Sequence, residues 1–453
     1  MRVLIVSHRF PPDAVAGVER YTESLADELI AGGDDVSIVC RRPGPGPIRP
    51  VTDAGHGAIE VIRLTGGGVD RDHLHHLAGD LDRAFERIVE ERRPDVVHVN
   101  HLVDLSPGFL SIARARGAAV VMTLHDFWAP CPRITLTTPD GRLCEGPDGG
   151  RACASGCAAA RAGAPSPPPD PEGGARWVLR ALYARRLLDV PDQLLCPSTY
   201  VAEWFRRWGI EPGRIRALPN GIRVPACRAD RAEPRGDGTL RLAILGAVVG
   251  HKGHHVLLDA LAGSDTGPVT LFVHGPVGDR EYLAELRERA GRTPNVRLRV
   301  CGPYDPADLT LLLADVHALV TPSVWPETFC LVIREALVRG VPVLSTRLGA
   351  LREAIEPGVN GFFYDHDDPS QLGALLGRLA REPELRRRLA EGAARTRVTT
   401  LAEHAALVRD VYVEAAERRE SNHGRAAAAV AELEAIERLM IAGRAAERLG
   451  AVA

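Results

Sequence analysis

Glu327 and Glu335 stand eight positions apart in the stretch Pro322-Ser323-Val324-Trp325-Pro326-Glu327-Thr328-Phe329-Cys330-Leu331-Val332-Ile333-Arg334-Glu335. This stretch leaves an apolar run from Val316 to Thr321 and reads as a loop becoming a helix. Trp325-Pro326 cannot continue a regular strand. A helix that starts near Phe329 leaves the backbone N–H groups of Phe329, Cys330 and Leu331 at its positive end, a setting that favours an anion and phosphate above all. Glu335 then lies about 9 Å along the axis, six residues at roughly 1.5 Å each, close to the reach from one end of a diphosphate to the sugar beyond. Glu327 sits at the opposite, reacting end. Two glutamates eight apart also arise by chance on capped surface helices, so the surrounding motifs decide.

The strongest of these lies about 75 residues upstream, where Gly246-Ala247-Val248-Val249-Gly250-His251-Lys252-Gly253 punctuates the passage from an apolar strand to an apolar helix. A lysine in such a loop is placed to meet a phosphate, although Gly253 after Lys252 excludes a Walker loop, which needs Ser or Thr there. In the first half, Gly17 follows the strand Arg2 to Ser7 and a turn-rich loop, at the start of a helix marked by Val18, Tyr21, Leu25 and Leu29. It stands where backbone must approach an anion closely, or it is a simple turn glycine. His98, His101, His125 and Asp126 all fall at or just beyond the ends of apolar strands.

Cys131, Cys144, Cys153 and Cys157, spaced by twelve, eight and three residues, could close a tetrahedral thiolate site that pins an otherwise unstructured loop. Zinc ranks ahead of an iron–sulfur cluster for that structural role, against unrelated cysteines in a flexible loop. His73, His75 and His76 read as a polar helix start. No Asp-x-Asp at a strand end suggests a catalytic divalent metal.

The elements that must position these groups alternate along the chain. Strand-like runs at 36–40, 59–64, 95–99, 118–124 and 193–196 are separated by helical patterns, and a second series begins at Leu240 and continues through 269–275, 296–301, 316–321 and 341–345. Strands apolar on both faces and alternating with helices indicate parallel sheets covered on both sides, and such sheets bind ligands at the carboxyl ends of their strands. The expected domains are residues 1–219, with a cysteine-rich insertion at 130–171 that contains Pro165-Ser166-Pro167-Pro168-Pro169, and residues 220–395. Residues 226–238 are linker-like, 396–420 form a helix packing back on the first domain, and 421–453 add a further helix for packing or homodimer association. Gln193 to Cys196 is expected to close the first sheet.

Composition sets outer limits. The chain has 453 residues, 45% hydrophobic, with 56 basic and 59 acidic side chains and a net charge of -3, so no global field points to nucleic acid. Nine cysteines without a secretory signal argue against a disulfide framework. No run reaches a membrane span, which points to a cytoplasmic protein. The basic amphipathic helix around Trp177, Leu182, Arg185 and Arg186 leaves room for peripheral contact at the inner face of the membrane.

Taken in order, Phe10-Pro11-Pro12 with Gly17, Asp95-Val96-Val97-His98, Thr123-Leu124-His125-Asp126-Phe127, Pro219-Asn220-Gly221, His251-Lys252-Gly253, Pro322-Ser323 with Glu327 to Glu335, and Gly358-Val359-Asn360-Gly361 resemble the retaining glycosyltransferases of family 4. The resemblance runs to about residue 420. It implies the GT-B fold, two facing Rossmann-like, doubly wound α/β domains with the active site in the cleft between them. It also implies a nucleoside-diphosphate sugar donor, whose UDP, GDP, dTDP or ADP type stays open, and an acceptor hydroxyl on a glycan, lipid-linked or natural-product molecule. By that resemblance Lys252, with Gly250, meets the diphosphate, and Glu335 holds the ribose. Glu327 contacts the transferred sugar together with backbone N–H groups near Phe329 and Cys330. His125 lies at the reacting carbon, Gly17 lets the first domain close on the phosphates, and Cys301 and Tyr304 line the nucleobase side. Two departures stand out: Ala247 replaces an arginine common in the family, and Ala16-Gly17 replaces Gly-Gly. Ala247 keeps a non-catalytic sugar-nucleotide binder as an alternative, and a nucleotide-sugar epimerase on the same scaffold is another.

Overall fold

The computed structural model describes residues 1–53, 56–67, 79–157, 171–225 and 234–450. The sequence readings at His73, His75 and His76, at Pro165 to Pro169 and over much of the 226–238 linker lie outside these residues.

The first unit comprises Met1–Asn220 and Leu401–Ala453. In chain order it contains β1 (Arg2–Ser7), α1 (Gly17–Ala31), β2 (Asp35–Arg42), β3 (Arg49–Asp53), β4 (Glu60–Thr65), α2 (Gly79–Arg92), β5 (Val96–Val99), α3 (Gly108–Ala115), β6 (Ala119–Thr123), α4 (Pro171–Leu187), β7 (Gln193–Cys196), α5 (Thr199–Arg207) and β8 (Ile215–Ala217). The strands form one sheet in the order β3-β4-β2-β1-β5-β6-β7-β8, parallel except for β3 against β4. The order reverses at β1, whose neighbours β2 and β5 lie on opposite sides. Val3, Ile5, Ile38, Val96 and Val121 fill the core under one face and Leu4, Val6, Val97 and Val120 under the other, as expected of strands covered on both sides.

The sheet does not end at Cys196: β8 pairs beyond it, with Leu194 opposite Ile215. Three residues between a Pro-Gly turn and Leu218-Pro219 are too few for a periodicity to register. β3 is an antiparallel edge strand in the Gly/Pro-rich region, and its partner β4 contains the fully buried Arg63. Arg63 is ion-paired to Asp13 at 2.9 Å and Asp53 at 2.6 Å and donates to the Phe10 and Pro11 carbonyls, so it ties down the loop ahead of α1.

The second unit, Gly221–Thr400, contains β9 (Leu240–Leu245), α6 (His254–Ala262), β10 (Val269–His274), α7 (Arg280–Gly291), β11 (Val296–Gly302), α8 (Leu309–Leu312), β12 (Ala318–Thr321), α9 (Leu331–Leu337), β13 (Val343–Thr346), β14 (Gly361–Tyr364), α10 (Pro369–Arg381) and α11 (Pro383–Arg395). Its sheet is all parallel in the order β11-β10-β9-β12-β13-β14, and the order reverses at β9.

The chain then returns to the first unit with α12 (Leu401–Arg418) and α13 (His423–Gly450). In α12, Tyr412 donates or accepts at His98 Nδ1 over 2.7 Å, while His404 bridges the Pro219 carbonyl and the Tyr21 hydroxyl. α13 packs along α4, with Ala429 and Leu433 in the core, Tyr183 bonded to Glu437 at 2.7 Å and Arg186 paired with Glu432 at 2.5 Å. Val430, Leu433 and Ile436 are thus packed within the chain, while Leu439 and Ile441 further along are exposed. α4 is likewise a packed helix: Tyr183, Ala184 and Leu187 are buried, and Arg180 donates to the carbonyls of Trp128 and Pro130.

Candidate active site

In the second unit the loops leaving β9 and β12 emerge from adjacent strands at the reversal of strand order, the place where α/β sheets open a ligand crevice. The two loops are joined backbone to backbone. Val324 N–H donates to the His251 carbonyl at 3.0 Å, and Gly253, at φ +69, lies so close that a Cβ there would stand 1.8 Å from the Pro322 carbonyl oxygen. On the other side Ala350 N–H donates to the Glu327 carbonyl at 2.7 Å, and a Cβ on Gly349 would meet that oxygen at 2.3 Å. These contacts seat Lys252 against Glu327.

Glu327 Oε1 accepts from Lys252 Nζ at 2.7 Å, Ser323 Oγ at 2.6 Å and Trp325 Nε1 at 2.8 Å. Burial pushes this carboxyl up, but the Lys252 charge and the three donors outweigh burial and hold it below the usual carboxylate range. Burial would likewise lower Lys252, and the Glu327 charge reverses that and raises it. Both groups are therefore ionised at neutral pH. All three bonds fall on Oε1, which leaves Oε2 available to a ligand.

α9 starts at Leu331, two residues later than the Phe329 start read from the sequence. The reason is local: Cys330, the residue before the helix, has φ 61 and ψ 77, a left-handed conformation that ends the loop and cannot belong to the helix. The leading N–H groups therefore belong to Leu331 and its successors. Glu335 lies one turn into α9, half-buried. Burial pushes the Cys330 thiol up to about 12. Cys301 is exposed at the end of the edge strand β11, and Tyr304 follows with its ring 6.2 Å from that of His274. Gly250 differs from Gly253: a Cβ there meets nothing within 4 Å, so the fold itself does not require the glycine.

A second polar constellation occupies the carboxyl ends of β1, β5 and β6 in the first unit. His125 packs edge-on against Tyr21 at 4.5 Å, and burial lowers it to about 3, so it is a neutral imidazole. Asp126 next to it accepts from His101 Nε2 at 2.9 Å and from Trp128 N–H at 2.8 Å, while Val103 N–H donates to His101 Nδ1 at 3.1 Å. His8 packs against His101 with the rings tilted by 49° and their centroids 4.6 Å apart, and meets Glu19 Oε1 at 3.2 Å. Burial lowers His8 to about 3 as well. His98 is instead a core residue, bonded on both ring nitrogens, to Tyr412 and Thr123. Gly17 opens α1, and a Cβ there meets nothing within 4 Å.

Residues 15–224 match the family model "Glycosyltransferase Family 4", and residues 228–396 match "Glycosyl transferases group 1". A D-inositol 3-phosphate glycosyltransferase of Xylanimonas cellulosilytica is 30% identical over 435 residues, which cover 89% of this chain and 93% of the relative. This chain belongs to the family 4 glycosyltransferases. A glycogen synthase of Mycobacterium tuberculosis is 26% identical over 88% of this glycosyltransferase and 91% of the relative. The crystal structure of Anabaena HepE in complex with UDP and glucose superposes with a TM-score of 0.62 at 17% identity, over 91% of the transferase and 99% of HepE, and bears out the GT-B fold.

The cysteine reading needs correction. Among the described residues, no group of three or more His, Cys, Asp or Glu side chains is arranged to hold a metal ion, and Cys131, Cys144, Cys153 and Cys157 are not joined in disulfides. The four thiols do lie near one another: Cys157, Cys131 and Cys144 all act on Cys153, and Cys144 acts on Cys131. Backbone N–H groups of Leu136 and Arg133 point at Cys131, and Cys144 Sγ reaches the Gly146 carbonyl at 3.5 Å. Burial, with Cys157 next, pushes the Cys153 thiol up to about 12.

The sequence marks Ser323 and Trp325 only as part of the loop, with no role at Glu327, and does not single out His8, Glu19 or Gly349 at all. Gly349 left a signal, a glycine shortly after the strand Val343–Thr346, whereas His8 and Glu19 gain meaning only once β1 is placed beside β5.

Among the described residues no helix is long and apolar enough to cross a membrane.

Proposed function

We propose that this glycosyltransferase moves a sugar from a nucleoside-diphosphate sugar to an acceptor hydroxyl with retention of configuration. The observation that carries the reading is the ionised Lys252–Glu327 pair at the crevice of the second sheet, with Glu335 one turn into the helix beyond. Cleavage of a sugar–phosphate bond builds negative charge on the diphosphate and positive charge on the sugar. Lys252 is the cation for the first, at the open Gly250 turn, and Glu327 Oε2 is free to take a sugar hydroxyl while Oε1 stays committed to the protein. Glu335 serves the ribose, Cys301 and Tyr304 the base, and the N–H groups of Phe329, Cys330 and Leu331 the donor's polar atoms.

In the first unit the neutral His125 is a hydrogen-bonding group for the sugar and not a cation, and Gly17 admits a phosphate where a side chain would intrude. In a retaining transfer the departing phosphate, on the same face of the sugar as the acceptor, takes the proton of the acceptor hydroxyl, and catalysis is mainly placement. UDP stands first among the donor bases, since HepE was crystallised with UDP and glucose. A phosphorylated cyclitol or a glucan leads the acceptors, by the names of the relatives.

The test is a thermal-shift and turnover screen of UDP-, GDP-, dTDP- and ADP-sugars, with the product anomer read by NMR. A donor raises the melting temperature and is consumed by wild type, while Glu327→Gln binds nucleotide but turns over at least a hundredfold more slowly. Inversion at the anomeric carbon, or nucleotide binding with no turnover under any acceptor, would sink the reading; donor isomerised without an acceptor would favour the epimerase.

A further inference from the structure

Between Glu327 and Glu335 the chain passes through the left-handed turn at Cys330, which is uncommon for a side-chain-bearing residue and needs surrounding structure to hold it. What holds it is Arg334. The side chain folds back five residues, its Nη1 donates to the Phe329 carbonyl at 2.5 Å, and its guanidinium lies over the Phe329 ring at 3.7 Å. Arg334 is 9% exposed and Phe329 is 3% exposed. The Phe329 ring also joins an apolar cluster with Ile222 and Val338, so it is gripped by a cation and by apolar side chains. Burial lowers the Arg334 guanidinium to about 10, so it remains charged at neutral pH. A buried cation answered by a carbonyl, an aromatic face and the more distant charge of Glu353 is costly to install for packing alone. Its geometry serves the turn that sets how far apart the two glutamates stand.

We infer that Arg334 is a positioning residue of the donor site, clamping Phe329 and the Cys330 turn so that Glu327 and Glu335 keep a fixed separation. This rests on the donor reading above. Lysine cannot take the role, because an ammonium offers neither a planar face to stack nor the same directed fork.

The experiment compares full-length wild type, Arg334→Leu and Arg334→Lys in two arms. The first follows alkylation of Cys330 by iodoacetamide through peptide mass spectrometry, which reads the turn without any donor. The second measures kcat and KM with UDP-, GDP-, dTDP- and ADP-glucose. In Arg334→Leu, Cys330 alkylation rises about tenfold or more, while kcat falls on the order of a hundredfold with a smaller change in KM, since misplacement by about 1 Å costs that much. Arg334→Lys restores neither. Unchanged alkylation, faster alkylation with unchanged kcat, or full rescue by lysine each overturns the inference. If Arg334→Leu fails to fold, Arg334→Lys decides by the same readings. A wild type that turns over no nucleotide sugar defeats the donor reading and the donor-site part of this inference together, and the Cys330 arm then separately judges the clamp.

Discussion

Gly253→Ala tests the junction between the two donor loops most directly. The new Cβ would stand 1.8 Å from the Pro322 carbonyl oxygen at a φ of +69. The left-handed conformation costs a residue with a Cβ about 1 kcal/mol, and forcing a methyl against packed backbone adds about 1–3 kcal/mol. A total of about 3 kcal/mol, at about 2–4 °C per kcal/mol for a unit of this size, lowers the melting of the second unit by roughly 6–12 °C. Turnover falls too, because Lys252 and Glu327 ride on the loops that Gly253 joins. Gly250→Ala is the matched control: three positions earlier in the same loop, its Cβ meets nothing within 4 Å, so the melting temperature stays within about 1 °C of wild type. Calorimetry of the three proteins checks this. Equal melting of Gly253→Ala and wild type, or an equal drop in both variants, would refute the close-packing argument.

Arg63→Met removes the buried cation shared by Asp13 and Asp53, leaving them the more exposed Arg42, and removes its bonds to the Phe10 and Pro11 carbonyls, so it should cost about 1–3 kcal/mol in chemical denaturation; a loss under about 0.5 kcal/mol would mean that the loop before α1 is held elsewhere. Tyr412→Phe removes one bond to His98 Nδ1 and should cost about 1 kcal/mol, measured the same way. Acid should weaken the fold above the carboxylate range. Burial lowers His98 to about 3 and His254 and His404 to about 4, so between pH 6.5 and those values the unfolded chain binds the extra protons and stability falls as pH falls. Each imidazole contributes about 2 kcal/mol of that loss by pH 5, and a melting temperature that is flat from pH 7.5 to 5 would contradict the burial assigned to them.

The donor side was legible because its signals are consecutive in the chain. Gly246 to Gly253 follows one strand and Pro322 to Glu335 the next, and strand ends in parallel sheets face the same edge. Lys252 and Glu327 could therefore be paired before any coordinates. The start of α9 could not, since hydrophobic spacing carries no sign of a positive φ at Cys330. In the first unit, His101 and His125 stand out in the sequence as strand-end residues, but His8 and Glu19 lie on a loop and a helix with no motif of their own. The strand order β2-β1-β5-β6 is what gathers them. Arg41 and Arg63 mislead in another way: their charge suggests exposure, yet carbonyls and nearby carboxylates allow both to be fully buried. Cysteine spacing brought the four thiols near one another but did not fix a ligand geometry, since no three of them are arranged to hold a metal ion.

The return of α12 and α13 to the first unit also sets a timetable for biosynthesis. Residues 221–400 are contiguous, so the second unit has everything it needs as soon as Thr400 leaves the ribosome. The first does not: Val408 and Tyr412 complete the apolar layer around Ile5 and Val121, and Leu433 completes the one around Phe85, so its cores stay open while some 180 further residues are made. The domain that emerges first therefore finishes last. A nascent chain paused in the second unit presents uncovered β1, β5 and β6 surface to chaperones, and a protein cut after Thr400 should be recovered as aggregate, while residues 221–400 expressed alone stay in solution.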